Sequence, residues 1–402
     1  MSIIVQKFGG SSLTSIEKRE QAIGHIIRAK IEGKKVVVVV SAMGRMGDPY
    51  ATDTLLSLFH YKGKNSPEKR EKDLLVHCGE IISATVMANM LTQSGHQAIV
   101  LTGYQAGIQT TQEYNDAQII DINTERIRKE LFDDKIVIIT GFQGVSKQGE
   151  ITTLGRGGSD TTATAIGAAL DADYCDIYTD VDGVMTADPR IVADAKKLNT
   201  ITYHEICNLA YQGAKVIHPR AVEAAMQKKI PIRIRSTFNN GPGTIITDQK
   251  VQDINNNQKQ LITSITQLDK ITQIKIHADE GQYDLQMKVF RAMADNDISV
   301  DFINVNMNGV AYTVADGVTD LATNVLSTLG LKPKIERNCA KISCIGAAMT
   351  GVPGVMAKII ETLTYNNIKI LQSADSHTTI WVLVKENDMA KGVKALHKAF
   401  NL

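Results

Sequence analysis

Three stretches of this chain carry residues able to do chemistry on a phosphorylated ligand. The first is Thr153-Leu154-Gly155-Arg156-Gly157-Gly158-Ser159-Asp160-Thr161-Thr162. Its glycines let backbone N–H groups approach a ligand with no Cβ in the way. Ser159 or Asp160 is placed to cap the Ala-rich helix expected from Thr161 to Leu170. A glycine loop feeding a helix N-terminus accepts anions. Arg156 adds a planar fork of donors suited to a carboxylate or phosphate. Taken alone, the same residues also fit an ordinary tight turn capped by Asp160.

The second stretch opens the chain as Ile3-Ile4-Val5-Gln6-Lys7-Phe8-Gly9-Gly10-Ser11-Ser12. An apolar strand, a lysine, two glycines and two hydroxyls precede a helical pattern from Ile16 to Ile31. Strand, glycine loop and helix together place a phosphate at a helix N-terminus, with Lys7 as a mobile charge beside it. The lysine precedes the glycines, and neither G-x-x-x-x-G-K-[ST] nor G-x-G-x-x-G occurs. A P-loop NTPase and an ordinary dinucleotide fold are both disfavoured. The third stretch, Asp176 to Arg190, begins as a strand and ends in a turn rich in Asp, Gly and Pro. It reads as a rim for a nucleotide and its metal. The EF-hand spacing is absent.

The elements that must position these residues are legible too. β-Branched runs at Val36–Val40, Ala98–Leu101, Ile136–Thr140 and Asp176–Thr179 alternate with longer helical patterns. Such runs indicate a parallel sheet covered on both faces, with ligands outside the carboxyl ends of its strands. Gly9, Ser41, Gly141 and the turn at Asp180 each follow a strand, so they gather on one edge.

A shift in composition at 238–243, followed by the polar run 252–260, marks a linker. Beyond it the chain repeats with an offset of 70: Leu285, Val289, Met293, Asn296, Ile298 and Val300 match Val355, Ile359, Leu363, Asn366, Ile368 and Ile370. The first positions of each copy mark a helix face, and the alternation at the end predicts a following strand. Two copies suit paired α+β modules sharing a sheet or lying side by side, not a solenoid.

Composition bounds the rest. The 402 residues exceed one typical domain core. A net charge of +1 with no basic tract argues against a nucleic-acid partner. The five cysteines form no C-x-x-C pair and no zinc spacing, which suits reduced thiols in a cytosol. No basic region followed by a long apolar run opens the chain, so no signal peptide is expected. The run Val36–Val40 is too short to span a bilayer, and no membrane association is expected. His204 and His218 lack partners at metal spacing and read as structural, and no protein metal ligand is assigned. Trp381 lies in an alternating run and reads as sheet packing.

The opening Lys7-Phe8-Gly9-Gly10-Ser11-Ser12 resembles the signature of the aspartokinases, which is usually written with Thr at the position of Ser11. The likeness continues in Val40-Ser41-Ala42-Met43-Gly44, Cys78-Gly79-Glu80, Thr153 to Thr162, Tyr178 to Arg190 and Gln212-Gly213-Ala214-Lys215-Val216, in the family's order. The repeat resembles the family's paired regulatory ACT domains. The second copy keeps Gly351-Val352-Pro353-Gly354-Val355; the first has Glu280-Gly281-Gln282-Tyr283-Asp284, without the proline.

The resemblance implies a three-layer αβα sandwich with a mainly parallel central sheet over residues 1–245, then two α+β ACT-like domains over 262–332 and 339–402. It implies transfer of the γ-phosphoryl of ATP, with Mg²⁺, to the β-carboxylate of L-aspartate. It also implies feedback regulation and a cytosolic homo-oligomer paired through the ACT domains. An acetylglutamate, glutamate or uridylate kinase would share the fold, and an inactive amino-acid sensor is the alternative of another class.

Under this reading Lys7 stabilises the transferring group with Gly9 and Gly10. Arg156, flanked by Gly157, Gly158 and Ser159, holds the α-carboxylate of aspartate. Glu80 meets its ammonium, and Thr52 and Asp53 complete the pocket. Ser41 and Ser159 donate to phosphates. Phe8, Tyr178, Thr179, Val184, Met185, Thr186, Ala187, Asp188, Pro189 and Lys215 hold the nucleotide. Asp180 or Asp182 orients the metal through water. Gly281, Asp301, Asn304, Gly351 and Gly354 form the site for an effector: lysine, threonine or diaminopimelate.

Overall fold

The computed structural model describes residues 2–59, 68–214, 216–248, 261–278 and 284–402. The apolar runs become strands whose residues are sealed on both faces: Val36, Val37, Val38, Val39 and Val40 are all fully buried. Eight strands form one sheet in the order Thr200–Thr202, Thr244–Thr247, Ile232–Ser236, Tyr174–Thr179, Ile3–Phe8, Lys35–Val40, Ile136–Thr140, Ala98–Leu101. Every neighbouring pair is parallel except Ile232–Ser236 with Thr244–Thr247.

On one face Ile4, Phe8, Val36, Val38, Val40, Ile136 and Ile138 pack against helices Ile16–Ile31 and Lys69–Gln93. Helix Gly158–Leu170 covers the other face, where Gly167 comes close to Val5 and Cys175. This is the three-layer αβα arrangement. Lys69–Gln93 is long and apolar enough to cross a membrane by length and composition. It buries Asp73 and Glu80 and packs on the sheet, as a core helix does. A small second sheet joins Ile119–Ile122, Ile108–Thr110, Gln143–Ser146 and Ile151–Thr153 in that order.

The chain divides into two units, and the division is not a single cut near residue 245. One unit takes the chain up to Val184, then Lys197–Tyr211 and residues 216–248; the polar run 252–260 read as a linker lies outside the described residues. The other takes Met185–Lys196, Gln212–Ala214 and the C-terminal part. In this second unit Ala187 and Val192 join a core with Ile262 and Ile265. The Ile265 amide donates to the Thr186 carbonyl at 2.8 Å, and Thr186 Oγ1 lies 2.9 Å from His397 Nε2.

The repeat shares one six-stranded sheet, in the order Asp301–Asn306, Gly309–Ala315, Ser264–His277, Lys334–Ile345, Thr379–Lys385, Gln372–Asp375. Helices Leu285–Asp295 and Val355–Tyr365 bury the matched triplets Leu285, Val289, Met293 and Val355, Ile359, Leu363. The alternating pairs are not strands, however. The Ile298 and Ile368 amides return to the helix carbonyls of Met293 and Leu363, each at 2.9 Å. They terminate the helices, and the ladders begin only at Asp301 and Gln372. Trp381 lies partly buried against Ile271, Phe302, Cys339 and Leu383.

Candidate functional site

Strands Ile3–Phe8, Lys35–Val40, Ile136–Thr140 and Tyr174–Thr179 end one residue before Gly9, Ser41, Gly141 and Asp180. Because the strands run parallel, these four turns lie on one edge of the sheet. Lys7 points from the end of its strand to Asp160, with Nζ–Oδ1 at 2.5 Å and both side chains about seven-eighths buried (12% and 15% exposed). Asp160 lies in the first turn of helix Gly158–Leu170. The ion pair therefore joins two of the three stretches, 153 residues apart in sequence.

Neither Ser159 nor Asp160 caps that helix. The N-cap is Gly157 at φ +71°, and a Cβ there would lie 2.2 Å from the His218 Cβ. Gly10 is needed for a similar reason: a Cβ on it would stand 2.5 Å from the Ala42 carbonyl oxygen. The loop after Ser41 thus sits directly on the Gly9–Gly10 turn, and the Gly44 amide donates to the Gly10 carbonyl at 3.1 Å.

The Arg156 loop is held by Asp73 and Arg220, which the sequence did not single out, and by His218, which it read as structural. Buried Asp73 accepts from the Thr153 amide at 2.9 Å, from Thr153 Oγ1 at 2.6 Å and from the Asn115 amide at 3.0 Å. Arg220 Nη1 donates to Asp116 Oδ1 at 2.7 Å and to the Leu154 carbonyl at 3.3 Å. His218 caps helix Pro219–Lys228 and packs on Gly157. Its pKa is lowered, chiefly by burial. Arg156 itself is exposed, and among the described residues it forms no ion pair. Asp73 and Glu80 are seven residues apart on one helix, which places both on the same buried face; that spacing was the available signal.

Glu80 is 2% exposed. Its Oε1 accepts from the Ala42 amide at 3.0 Å, and its Oε2 is buried without a partner among the described residues. Burial pushes its pKa up to about 8, against the opposing pull of the amide bonds. Gly79 brings the same helix turn against Ala42 and the Tyr50 carbonyl. Thr52 and Asp53 begin the short helix Thr52–Ser57 just after that contact.

In the third stretch Asp180 is half-exposed, and Arg45 Nη2 lies 3.0 Å from its Oδ2. Arg45 carried no signal in sequence. Asp182 accepts from Asn239 Nδ2 at 2.6 Å. Phe8 and Tyr178 stack at 4.7 Å inside the core, so neither offers a side chain to a ligand. Val184 is fixed by Thr244 Oγ1 to its amide, 2.8 Å. Met185–Pro189 belongs to the second unit, where Thr186 and Ala187 are buried and Asp188 pairs with Arg190 at 2.7 Å. A nucleotide role for the side chains of Thr186 and Ala187 is thereby removed, because packing uses them. Lys215 lies outside the described residues. No group of three potential metal ligands occurs among the described residues.

Of the effector candidates, Gly281 lies outside the described residues. Asp301 is ion-paired with the buried Lys341, so its carboxylate is already engaged. Asn304 lies on the exposed edge strand Asp301–Asn306, and Gly351 and Gly354 have open space where a Cβ would point.

Comparison with known proteins gives the family and the fold. The amino acid kinase family matches residues 2–236, and the ACT domain matches residues 334–398. Aspartokinase 1 of Bacillus subtilis (strain 168) is 53% identical over 403 residues, covering 100% of each chain. The aspartate kinase from Synechocystis is 33% identical with a TM-score of 0.55, covering 99% of this chain and 69% of that one. E. coli aspartokinase III in complex with aspartate and ADP superposes with a TM-score of 0.78 over 100% of each chain. At 24% identity that likeness is one of fold.

Proposed function

The chain belongs to the aspartokinases, and from that premise we propose how its residues divide the phosphorylation of L-aspartate. The β-carboxylate attacks the γ-phosphorus of ATP, the bond to ADP breaks, and an acyl phosphate forms. The nucleophile is already ionised at neutral pH, so no general base is needed. The remaining work is alignment and charge stabilisation. The observation that carries the reading is the Lys7–Asp160 pair. It sets the cation of the Gly9–Gly10 turn beside the helix that follows the Arg156 fork.

Lys7 and the turn amides stabilise charge on the transferring group. Ser41 and Ser159 donate to the phosphates, and Thr179 holds the nucleotide within the first unit; Val184 is buried with its amide bound to Thr244 Oγ1 and positions that turn. Arg156 grips the α-carboxylate, with Gly157 and Gly158 shaping its loop. Glu80 takes the ammonium beside Thr52 and Asp53. Asp180, on the ligand-facing edge, would help to orient a Mg²⁺ ion supplied with ATP, which would offset charge on the phosphates. The test is aspartate-dependent ADP release with hydroxamate trapping of the product, run beside glutamate and acetylglutamate. ADP release without aspartyl hydroxamate would overturn the reading.

Glu80 makes a pH prediction. Its raised pKa leaves the ligand-free carboxyl largely protonated at neutral pH, and only the carboxylate attracts an ammonium. The KM for aspartate should therefore fall as pH rises through about 8 and level off above it. In Glu80→Gln it should be higher and lose this dependence. A wild-type KM that is flat from about pH 6.5 to 9 would remove Glu80 from ammonium recognition.

For the C-terminal unit we propose amino-acid feedback through a cytosolic homo-oligomer. Edge strand Asp301–Asn306 exposes Ile303 and Val305, with Met307 beyond it, an apolar edge suited to pairing with a second copy. Asn304, Gly351 and Gly354 offer groups to an α-amino acid. Titrating lysine, threonine and diaminopimelate, singly and in pairs, should lower activity with at least one. Inhibition by none would end the feedback proposal and leave the kinase assignment intact.

A further inference from the structure

Thr237 follows strand Ile232–Ser236 and is 1% exposed. All of its polar groups are engaged. Its amide donates to the Thr179 carbonyl at 2.9 Å. Its carbonyl lies 3.0 Å from His25 Nε2. Its hydroxyl lies 2.7 Å from Ser12 Oγ and 3.3 Å from the Thr179 carbonyl. A carbonyl only accepts, so the Thr237 hydroxyl donates to Thr179 and the Ser12 hydroxyl donates to Thr237. Burial lowers the pKa of His25. The imidazole is held neutral, with its proton on Nε2 toward the Thr237 carbonyl. His25 in turn lies against Tyr178, with ring centroids 4.5 Å apart.

Ser12 ends the single turn Gly10–Ser12, which is closed by its own amide to the Gly9 carbonyl at 3.0 Å. Thr179 ends the strand before Asp180. One residue thus ties together two segments that are far apart in sequence, and both lie on the ligand-facing edge of the sheet.

We propose that Thr237 is a positioning residue for phosphoryl transfer. It sets the spacing between the Gly9–Ser12 turn, rooted at Lys7, and the Thr179–Asp180 turn. This inference rests on the reading of those turns as the ones that hold the nucleotide. A phosphoryl group aligned by two turns is sensitive to a small shift of one against the other. Thr237→Val keeps the shape of the side chain, removes both hydroxyl bonds and leaves the buried Ser12 hydroxyl without its acceptor. Thr237→Ser keeps them.

The test is steady-state kinetics per folded enzyme on the full chain, with melting temperatures measured alongside. Thr237→Val should lower kcat/KM for ATP about tenfold and leave the KM for aspartate unchanged, and Thr237→Ser should restore it to within about twofold. Ser12→Ala, which removes only the bond to Thr237, should lower kcat/KM for ATP in the same direction by at least about threefold, and it carries the test if Thr237→Val does not fold. The double variant should be no worse than Thr237→Val alone, which already breaks the Ser12 bond. Wild-type constants for ATP in both single variants, with kcat of Lys7→Ala lowered about 30-fold or more, would overturn the proposal alone. Full activity in Lys7→Ala would instead overturn the reading of the turn on which the proposal rests.

Discussion

Replacing Lys7 with alanine is expected to lower kcat by about 30- to 1000-fold while changing the affinity for ATP far less. The range corresponds to about 2–4 kcal/mol in the barrier, the usual cost of removing one well-aimed electrostatic donor. The substitution also strands Asp160, which is mostly buried against Lys7. An unpaired buried carboxylate destabilises a fold in its own right. Lys7→Ala/Asp160→Asn separates the two effects: it should recover stability without recovering rate. A Lys7→Ala enzyme within twofold of wild-type kcat would remove Lys7 from the chemistry.

The second large effect is expected at Arg156. Lysine there turns a bidentate fork into a point charge, and alanine removes the charge. Losing a charge-assisted contact of about 1.5–3 kcal/mol should raise the KM for aspartate about 10- to 150-fold in Arg156→Ala, with Arg156→Lys in between. Arg156 is exposed and without an ion pair among the described residues, so neither change should cost more than about 0.5 kcal/mol of stability. The kinetic effect is then free of a folding artefact. If the ATP constant moves while the aspartate constant does not, the loop serves the nucleotide instead.

Local pattern was sufficient wherever the physics is local. The continuous apolar run Val36–Val40 could satisfy its surface only inside a covered parallel sheet, and it does. The helix over Ile16–Ile31 and the buried triplets of the repeat follow from the helical period alone. The turns that carry Gly9, Ser41, Gly141 and Asp180 followed from the strand ends, because parallel strands put every carboxyl end on the same edge.

Where several local solutions compete, the pattern was not sufficient. A Ser or Asp near a helix start is an ordinary cap, but Gly157 takes the left-handed conformation and His218 fills the space beside it, so the helix begins without a side-chain cap. The alternation at Ile298 and Ile368 suits a strand equally well, until the amides of both residues close the preceding helices. Tyr178 and Phe8 read as ligand contacts because of their neighbours, yet they stack with each other in the core.

What the sequence by itself determined was the main parallel strands, the helix faces of the repeat and the edge on which the turns after those strands collect. The tertiary structure alone decided which distant groups meet there: Lys7 with Asp160, Asp73 with Thr153, Thr237 with Ser12, and Met185–Lys196 within the second unit. The physical reason is range. Periodicity and turn chemistry act over a few residues, whereas an ion pair or a buried hydroxyl bond depends on the register of strands brought together only when the whole sheet closes.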